Sequence, residues 1–471
     1  LRGIGELIEV DAPVDPHLEI TEIADRVMKA GGPALLFRNV IGSDLPVLIN
    51  QFGSERRMAM GLGGADLDEI AGRIAQIAQM QPPQGLMDKV KALGTLKDLA
   101  SLGTRTVRSA PCQEVVMRGD DVDLDRIPIL TCWPGDGGPF VTLPLVFSHD
   151  PRTGARNCGM YRVQKVDRRT CMMHWQVHKD GRQHLLDSEG RVPVAVAIGT
   201  DPAVTYAATA PLPPALDEMM FAGFLRGERV EMVKAVTQDI EVPARAEVVL
   251  EGYVDATDIR DEGPFGDHTG FYTPVDQYPA FHVTGITMRR DAIYSTTIVG
   301  MPPMEDYWLG KATERLFLPL IRMTVPDLVD MNLPLEGVFH NCAIVSVRKR
   351  YPGHAKKLIN AVWGLGLLSL TRCVIVVDED IDVQDVSQVA FRAFSNVDPG
   401  RDVLVVDGPV DALDHAAPWP AYGAKIGFDA TAKWEGEGQV RPWPEEIRMS
   451  DEVRARVDAR WSEFGIPSPG R

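Results

Sequence analysis

Two segments of the chain carry amides and imidazoles that could serve a metal ion. The segment from Asn157 to Arg162 combines an amide with a guanidinium. The segment from Met173 to His178 carries two imidazoles, at His174 and His178. An asparagine and a histidine beside one carboxylate would suit a hard divalent cation such as Mn²⁺ or Mg²⁺. Each segment also has an ordinary interpretation, as a turn asparagine, a surface arginine and hydrogen-bonded strand histidines.

A third candidate is a carboxylate in a predicted helix. Glu218 lies at the start of the segment Asp217–Arg226, whose apolar residues recur at helical spacing. A glutamate in the first turn of a helix often does no more than complement the helix dipole. Glu218 alone therefore leaves a binding role and a structural role open.

The most suggestive segment is the loop Asp261–Gly270, which carries Glu262 and Asp267. Glycines and Pro264 fix an unusual backbone that can turn both carboxylates inward. A carboxylate pair beside an arginine suits proton transfer. The guanidinium keeps one carboxylate ionised, and an apolar pocket raises the pKa of the other until it can donate a proton. The alternative is a solvated acidic loop.

The elements that must position these residues lie in the middle of the chain. Between about 110 and 300, strand-like runs recur between Gly and Pro turns, which favours an antiparallel sheet or barrel. One predicted strand covers Cys171–Val177, so that His174, Gln176 and His178 would share a face.

Helix and strand signals alternate on both sides of this region. Residues 1–80 form a predicted small α/β domain with an amphipathic helix at Leu67–Met80. A long helix is predicted at Glu305–Met323, with a kink at Pro319, and a β-α-β pattern typical of a parallel sheet follows it. The tail ends in a predicted amphipathic helix that begins at Ser450. The sequence therefore predicts an α/β multidomain (α+β) fold.

Composition excludes several classes of protein. The 471 residues carry a net charge of −17, which argues against a nucleic-acid partner. Six cysteines without a C-x-x-C pair indicate neither a disulfide framework nor a zinc site. No apolar stretch approaches about 20 residues, so we predict a cytoplasmic protein without stable membrane insertion. The motifs G-x-S-x-G, P-loop and H-E-x-x-H are absent.

Taken together, the segments resemble the UbiD family of decarboxylases, which use prenylated FMN. The resemblance covers nearly the whole chain. It is carried by ordered motifs: Cys132–Asp136, Asn157–Arg162, Met173–His178, Pro193–Gly199, Phe221–Gly227, Val242–Gly252, Glu262–Asp267, Tyr351–Lys356 and Gly423–Thr431.

The resemblance implies an architecture of three domains and one linker helix. The parts are an N-terminal α/β domain (1–110), a central split β-barrel flavin-binding domain (111–304), a linker helix (305–330) and a C-terminal α/β and oligomerisation domain (331–471) with its terminal helix. Family members form homodimers or homohexamers, and the sequence does not choose between the two.

The resemblance also implies a cofactor site. A divalent metal, Mn²⁺ or Mg²⁺, would bind Asn157, His178 and Glu218 and bridge to the cofactor phosphate, often with K⁺ nearby. A flavin prenyltransferase would supply the prenylated FMN. The remaining residues implied to line the cofactor are Met160, Tyr161, Arg162, His174, Trp175 and Gln176. Lys425 is a weaker candidate for a cofactor or subunit contact.

The implied activity is reversible, non-oxidative decarboxylation of an aromatic, heteroaromatic or α,β-unsaturated acid. By resemblance, Arg162 and Glu262 would orient the substrate carboxylate, and Asp267 would deliver a proton to carbon. We expect apolar surroundings and negative neighbours to raise the pKa of Asp267, and His268 beside it could assist. The alternatives are a split-barrel flavin oxidoreductase that uses NAD(P)H and a non-catalytic flavin-binding subunit.

Overall fold

The computed structural model describes residues 1–78, 102–176, 180–188, 190–212 and 216–467. Within these ranges the chain is a mixed α/β structure with five β-sheets. The predicted multidomain α/β class is confirmed. The domain boundaries proposed from the sequence stay predictions.

The first sheet is built mainly from the N-terminal segment. The helix Glu19–Lys29 packs against it through Ile20, Ala24 and Met28, which are buried at the spacing expected for one helical face. The fourth strand comes from much later in the chain and pairs in parallel with its neighbour, so the sheet joins two distant segments. In spatial order the strands are Leu7–Val10, Ala34–Phe37, Val47–Ile49 and Tyr294–Ser295.

The central sheet has nine strands among the described residues, and it confirms the predicted antiparallel character of this region. Its longest strands pair from Val248 with Met288 to Glu262 with Asp276, and this pairing carries Glu262 to one end of the sheet. In spatial order the strands are Phe140–Val141, Val163–Lys165, Thr170–Met173, Asp276–Met288, Val248–Glu262, Arg191–Ile198, Leu145–His149 and Arg156–Met160, and Val115–Arg118 pairs with Asp276–Met288.

Both faces of the central sheet are buried. Along Arg191–Ile198, Val194 and Val196 pack into one apolar core, whereas Ala195 and Ala197 pack into another. Successive strand residues face opposite sides, so the sheet separates two cores. A sheet buried on both faces holds the loops at its ends in fixed positions.

Two small sheets flank the central one. The strands Glu241–Pro243, Val230–Lys234 and Thr104–Val107 form the first. The second is a hairpin of Phe265–Gly266 and Tyr272–Thr273, which presents Asp267 directly after its first strand.

The long helix Glu305–Thr324 confirms the sequence prediction and continues through Pro319. Leu309 and Leu316 on it pack into one core of the central sheet, and Leu318 packs into the C-terminal core. The helix therefore links the two parts. The other helices in the first three hundred residues are Glu55–Gly61, Leu67–Ala78, Asp180–Asp187, Pro202–Ala207 and Glu218–Arg226.

The C-terminal sheet is mixed, which corrects the predicted parallel sheet. Its inner pairs are parallel, but both edge pairs are antiparallel. The edge strands reach their neighbours through connections without a crossover helix, and such connections produce antiparallel pairs. In spatial order the strands are Leu328–Asn332, Cys342–Val347, Cys373–Asp378, Tyr422–Asp429 and Val403–Pro409, and the helices are His354–Trp363, Val386–Asn396 and Pro399–Asp402.

The tail helix spans Asp451–Ala459, and the Ser450 hydroxyl caps it by accepting a hydrogen bond from the Val453 N–H. None of its residues is buried. In the part of the chain that the structure describes, no helix combines the length and apolarity needed to span a bilayer.

Candidate active site

Arg162 lies between two carboxylates that come from distant parts of the sequence. Its Nε and Nη2 atoms donate to the two oxygens of Glu262 at 2.7 and 2.9 Å, and Nη1 donates to Asp267 Oδ2 at 2.8 Å. A further bond runs from Nη2 to Thr273 Oγ1 at 3.2 Å. The ring of Phe265 lies 4.5 Å from the guanidinium carbon. The planar guanidinium of arginine can form two parallel hydrogen bonds to one carboxylate while it stacks on an aromatic ring, and the ammonium of lysine cannot.

The cluster is buried. The side chains of Arg162, Glu262 and Asp267 are only 10%, 0% and 6% exposed. Arg162 lies just after Arg156–Met160, outside both flanking strands, so strand periodicity does not fix its direction. The family resemblance implied these three residues as a set, and in the structure Arg162 bonds directly to both carboxylates.

Asp267 is ionised, and this corrects the predicted increase in its pKa. Burial raises the pKa, but the hydrogen bond and charge of His268 and the charge of Arg162 outweigh burial and lower it to about 2. Both the backbone N–H and Nδ1 of His268 lie 2.7 Å from Asp267 Oδ1. The positive neighbours of Asp267 were underestimated from the sequence.

Glu262 is held in the charged form in the same way. Burial raises its pKa, yet hydrogen bonds from His174 and Arg162 lower it to about 2. The Nδ1 atom of His174 is 3.2 Å from Glu262 Oε2. Glu262 therefore remains a fixed negative charge that keeps the Arg162 guanidinium in place.

One loop and one strand of the central sheet hold the hairpin in place. In the loop, Asp136 accepts hydrogen bonds from the Trp133 N–H at 2.8 Å and from the Gly266 N–H at 2.7 Å, so one carboxylate joins the loop to the hairpin. The Gly263 N–H donates to Gln164 Oε1 at 2.8 Å. Gly137 must be glycine here, because a Cβ atom would lie 2.0 Å from the Gly263 carbonyl oxygen.

The predicted strand Cys171–Val177 is wrong at its end. The regular strand stops at Met173, although the His174 N–H still donates to the Arg162 carbonyl oxygen at 3.3 Å, directly after the last strand pair of Met173 with Val163. The Nε2 atom of Gln176 lies 3.3 Å from His174 Nε2. His174 and Gln176 therefore meet outside a regular strand, and His178 lies outside the described residues.

The other cofactor candidates flank Arg162. Met160 packs against one core of the central sheet, and Tyr161 packs in the other. Trp175 is buried, and its Nε1 donor has no partner within the described ranges.

Glu218 begins a helix that two neighbours fix in place. Asp217 caps the helix by accepting from the N–H groups of Met219 and Met220, and Arg156 binds Asp217 through Nη2 at 2.8 Å. Burial raises the pKa of Glu218 to about 7, against the lowering effect of hydrogen bonds from its own backbone N–H and from that of Cys158.

Asn157 lies next to Cys158 in the chain and is buried. Neither Asn157 Nδ2 nor Glu218 Oε2 has a hydrogen-bond partner among the residues that the structure describes. Within the same ranges, no group of three or more His, Cys, Asp or Glu side chains is placed to hold a metal ion.

Two contacts were missed from the sequence. Thr273 binds Arg162, and His340 lies with its Nε2 atom 2.7 Å from His268 Nε2. No motif signals either residue, because each is far from its partner in the chain. Lys425 is buried in the C-terminal sheet, where it donates to the Ser369 carbonyl oxygen and lies over the Trp363 ring.

Three sequence models of one family match the chain. They describe the N-terminal domain, the Rift-related domain and the C-terminal domain of 3-octaprenyl-4-hydroxybenzoate carboxy-lyase, and they match residues 1–77, 105–302 and 307–430. The chain belongs to the UbiD family. Its members are carboxy-lyases, so the protein is a decarboxylase of this class. An uncharacterized protein of Archaeoglobus fulgidus is 52% identical over 469 residues, which are 98% of this chain and 96% of the relative.

Solved UbiD-class enzymes share the fold. HmfF from Pelotomaculum thermopropionicum, solved in complex with FMN, is 29% identical with a TM-score of 0.80, covering 97% of each chain. An evolved dimeric form of HmfF was solved with prenylated FMN (28% identical, TM-score 0.77, 96% of each chain). Vanillic acid decarboxylase from Sedimentibacter hydroxybenzoicus, in its closed form, is 26% identical with a TM-score of 0.84, covering 99% of this UbiD chain and 97% of the other.

Proposed function

We propose that this UbiD-family protein catalyses reversible, non-oxidative decarboxylation of an aromatic, heteroaromatic or α,β-unsaturated acid with prenylated FMN. The observation that carries the proposal is the buried Arg162 between Glu262 and Asp267. A guanidinium held by two carboxylates can bind an acid substrate and keep a proton carrier beside it. The relative HmfF binds prenylated FMN, and vanillic acid decarboxylase is named for an aromatic acid, which supports this class of cofactor and substrate.

Arg162 keeps one donor for the substrate. A guanidinium has five N–H groups. Nε donates to Glu262, and Nη2 donates to Glu262 and Thr273. Nη1 donates to Asp267, its one acceptor among the described residues. The second N–H of Nη1 can therefore bind a substrate carboxylate, while Glu262 fixes the plane of the guanidinium.

The prenylated FMN is proposed to lie in a split β-barrel formed by the central sheet. When bound, the cofactor supplies the electrophilic centre that accepts the electron pair left on carbon as CO₂ departs. The buried Nε1 donor of Trp175 lacks a partner in the described part of the chain, which fits a role in holding a polar ligand. The other residues proposed to line the cofactor are Met160, Tyr161, Arg162, His174, Gln176, His178 and Glu218.

A divalent metal, Mn²⁺ or Mg²⁺, fits Asn157 and Glu218, with His178 as the third proposed ligand. A buried carboxylate oxygen without a donor is costly unless a cation or a proton neutralises it. Glu218 Oε2 is such an atom among the described residues, and an oxygen–nitrogen ligand set suits Mn²⁺. The bound metal would anchor the cofactor phosphate, and K⁺ nearby is part of the same proposal.

Asp267 is proposed to pass the proton. Its Oδ2 atom is held by Arg162 and its Oδ1 atom by His268, so the carboxylate is fixed beside the donor that binds substrate. After CO₂ leaves, a proton carried by Asp267 moves to the substrate carbon. The NAD(P)H oxidoreductase and the non-catalytic flavin subunit are less favoured, because neither needs a buried Arg–Glu–Asp cluster.

We also propose that the protein is a homodimer or homohexamer. Phe394, Val440 and Ile447 in the C-terminal part are almost fully exposed in the single chain, and burial of such side chains in a subunit contact would be favourable.

The proposal is tested by producing the protein together with a flavin prenyltransferase and measuring CO₂ release from a panel of hydroxybenzoates, furoates and cinnamates. We expect release from at least one acid by the loaded enzyme and none from protein that carries unmodified FMN. Equal activity with unmodified FMN, or oxidation of NAD(P)H instead, would contradict it.

A further inference from the structure

A histidine pair connects Asp267 to the C-terminal part of the molecule. His268 places Nδ1 2.7 Å from Asp267 Oδ1 and Nε2 2.7 Å from His340 Nε2. His268 follows the hairpin strand Phe265–Gly266, whereas His340 precedes the first parallel strand of the C-terminal sheet, Cys342–Val347. The contacts therefore run from Arg162 through Asp267 and His268 to His340.

The two imidazoles must share a proton. Two nitrogen atoms at 2.7 Å are held together only when one donates and the other accepts. If His268 is the imidazolium, it donates from Nδ1 to Asp267 and from Nε2 to His340, and both hydrogen bonds are satisfied. If both rings were charged, two N–H groups would face each other.

The surroundings of the pair favour a proton on His268. Asp267 contacts His268 directly, and Asp306 and Asp411 also act on it. Burial lowers the pKa of His268, but these carboxylates outweigh it and leave the pKa above its ordinary value. Burial and the charge of His268 lower the pKa of His340, against the opposing effect of Asp411, Asp267 and Asp414.

The backbone before His340 is in an uncommon conformation. Val338 and Phe339 have φ values of 51° and 46°, a left-handed region that non-glycine residues rarely occupy. For a β-branched valine this conformation is costly, and such costs concentrate at functional sites. The Phe339 ring packs 5.4 Å from the His268 ring, so the strained turn places both aromatic rings against the hairpin.

Resting on the proposed function, we infer that His268 stores the proton that Asp267 delivers to carbon, and that His340 positions His268 by accepting its Nε2–H. In this step the His268 Nδ1–H bond breaks and an O–H bond forms on Asp267. That O–H bond then breaks as the C–H bond forms with the electron pair left by CO₂. Solvent returns one proton to His268, so each turnover consumes one acid anion and one proton and yields one product and CO₂.

A substrate makes the transfer easier. In the absence of substrate, Arg162 and His268 hold Asp267 ionised, and a proton moves to it only against this preference. A substrate carboxylate beside Arg162 adds a negative charge and competes for the guanidinium. Both effects raise the proton affinity of Asp267. The stored proton therefore reaches Asp267 when an acid is bound.

The test uses enzyme loaded with prenylated FMN and labelled with ¹⁵N-histidine. His268→Asn retains an N–H near the Nδ1 position but cannot carry the proton. We expect the wild type to show one imidazole with a pKa above 6.5 that disappears in His268→Asn and falls in Asp267→Asn. The kcat for CO₂ release should fall by roughly 10²-fold in His268→Asn, with KM unchanged and the alkaline limb of the pH profile lost.

His340 is tested by removal and rescue. His340→Leu removes the acceptor, so the alkaline limb of kcat should move to lower pH. His340→Gln offers an amide oxygen to the same hydrogen bond and should restore the limb. The control is His282→Asn, because His282 forms a similar contact with Asp258, from Nε2 to Oδ2 at 3.0 Å, outside the cluster. It should leave kcat and the pH profile unchanged.

Two results overturn the inference. One is a His268 ring that is already neutral at pH 6, and this result counts whether or not the enzyme releases CO₂. The other is an active wild type whose kcat and pH profile are unchanged in His268→Asn. A wild type that releases no CO₂ from any acid contradicts the proposed function instead, and the titration of His268 is then judged by itself.

Discussion

Arg162 and Glu262 form a two-point ion pair inside the protein, with Nε 2.7 Å from Oε1 and Nη2 2.9 Å from Oε2. Glu262 has no exposed side-chain surface, so water does not compete for these bonds. A pair with parallel bonds fixes both the position and the plane of the guanidinium. The remaining donor of Arg162 therefore points in one direction before any substrate arrives.

This pair leads to a prediction for Glu262→Gln. Glutamine accepts only through its oxygen, so one of the two bonds from Arg162 to this side chain is lost and the plane of the guanidinium is held less firmly. We expect kcat for CO₂ release to fall by roughly 10²-fold, because small errors in orientation are costly. Asp261→Asn is the matched control, since Asp261 is exposed and contacts Gln277. An equal loss of kcat in both variants would contradict this prediction, because it would show that the loss of a negative charge, and not the orientation of Arg162, lowers the rate.

The metal assignment leads to a prediction for Glu218→Gln. The neutral amide is a weak ligand for a hard cation, and it leaves the helix cap at Asp217 intact. We expect elemental analysis of the purified protein to show a strong loss of Mn²⁺ and a lower flavin content. Glu228→Gln, at an exposed position after the same helix, should retain both. Full metal and cofactor occupancy in Glu218→Gln would refute the ligand role.

Glu305 leads to a prediction about stability. It accepts hydrogen bonds from the N–H groups of Asn50 and Phe52 at 3.2 and 2.6 Å, and burial raises its pKa to about 7 from 4.5. Between these two pH values the folded protein binds more protons than the unfolded chain, so stability falls as pH rises through that range. The melting temperature of the wild type, relative to Glu305→Gln, should be higher at pH 5 than at pH 8. The exposed Glu336→Gln is the control, and an offset independent of pH would contradict the assignment.

The secondary structure was largely predictable, because apolar periodicity reports burial directly. The helices Glu218–Arg226 and Glu305–Thr324 each differ by one residue from the bounds predicted from the sequence. The end of the strand Thr170–Met173 was not predictable. His174 lies where a strand residue was expected, and its N–H still donates to the Arg162 carbonyl oxygen opposite it, but its side chain contacts Glu262 and the regular strand pairing ends at Met173.

The protonation states of the site residues were harder to predict from the sequence than the identities of those residues. The sequence shows two acids near Asp267, but the imidazole of His268 folds back onto the carboxylate beside it. Arg162 approaches from 105 residues away and His340 from 72 residues beyond His268. A pKa depends on these through-space neighbours, so it could not be derived from the order of residues.

Transfer of deuterium to the product tests the central claim most directly. The loaded wild type and Asp267→Asn are incubated in D₂O with an acid that the wild type decarboxylates, and the product is analysed by mass spectrometry. We predict one deuterium at the carbon that carried the carboxylate, formed by Asp267→Asn at a rate lower by roughly 10²-fold or more at equal cofactor content. A near-normal rate in Asp267→Asn would contradict the account.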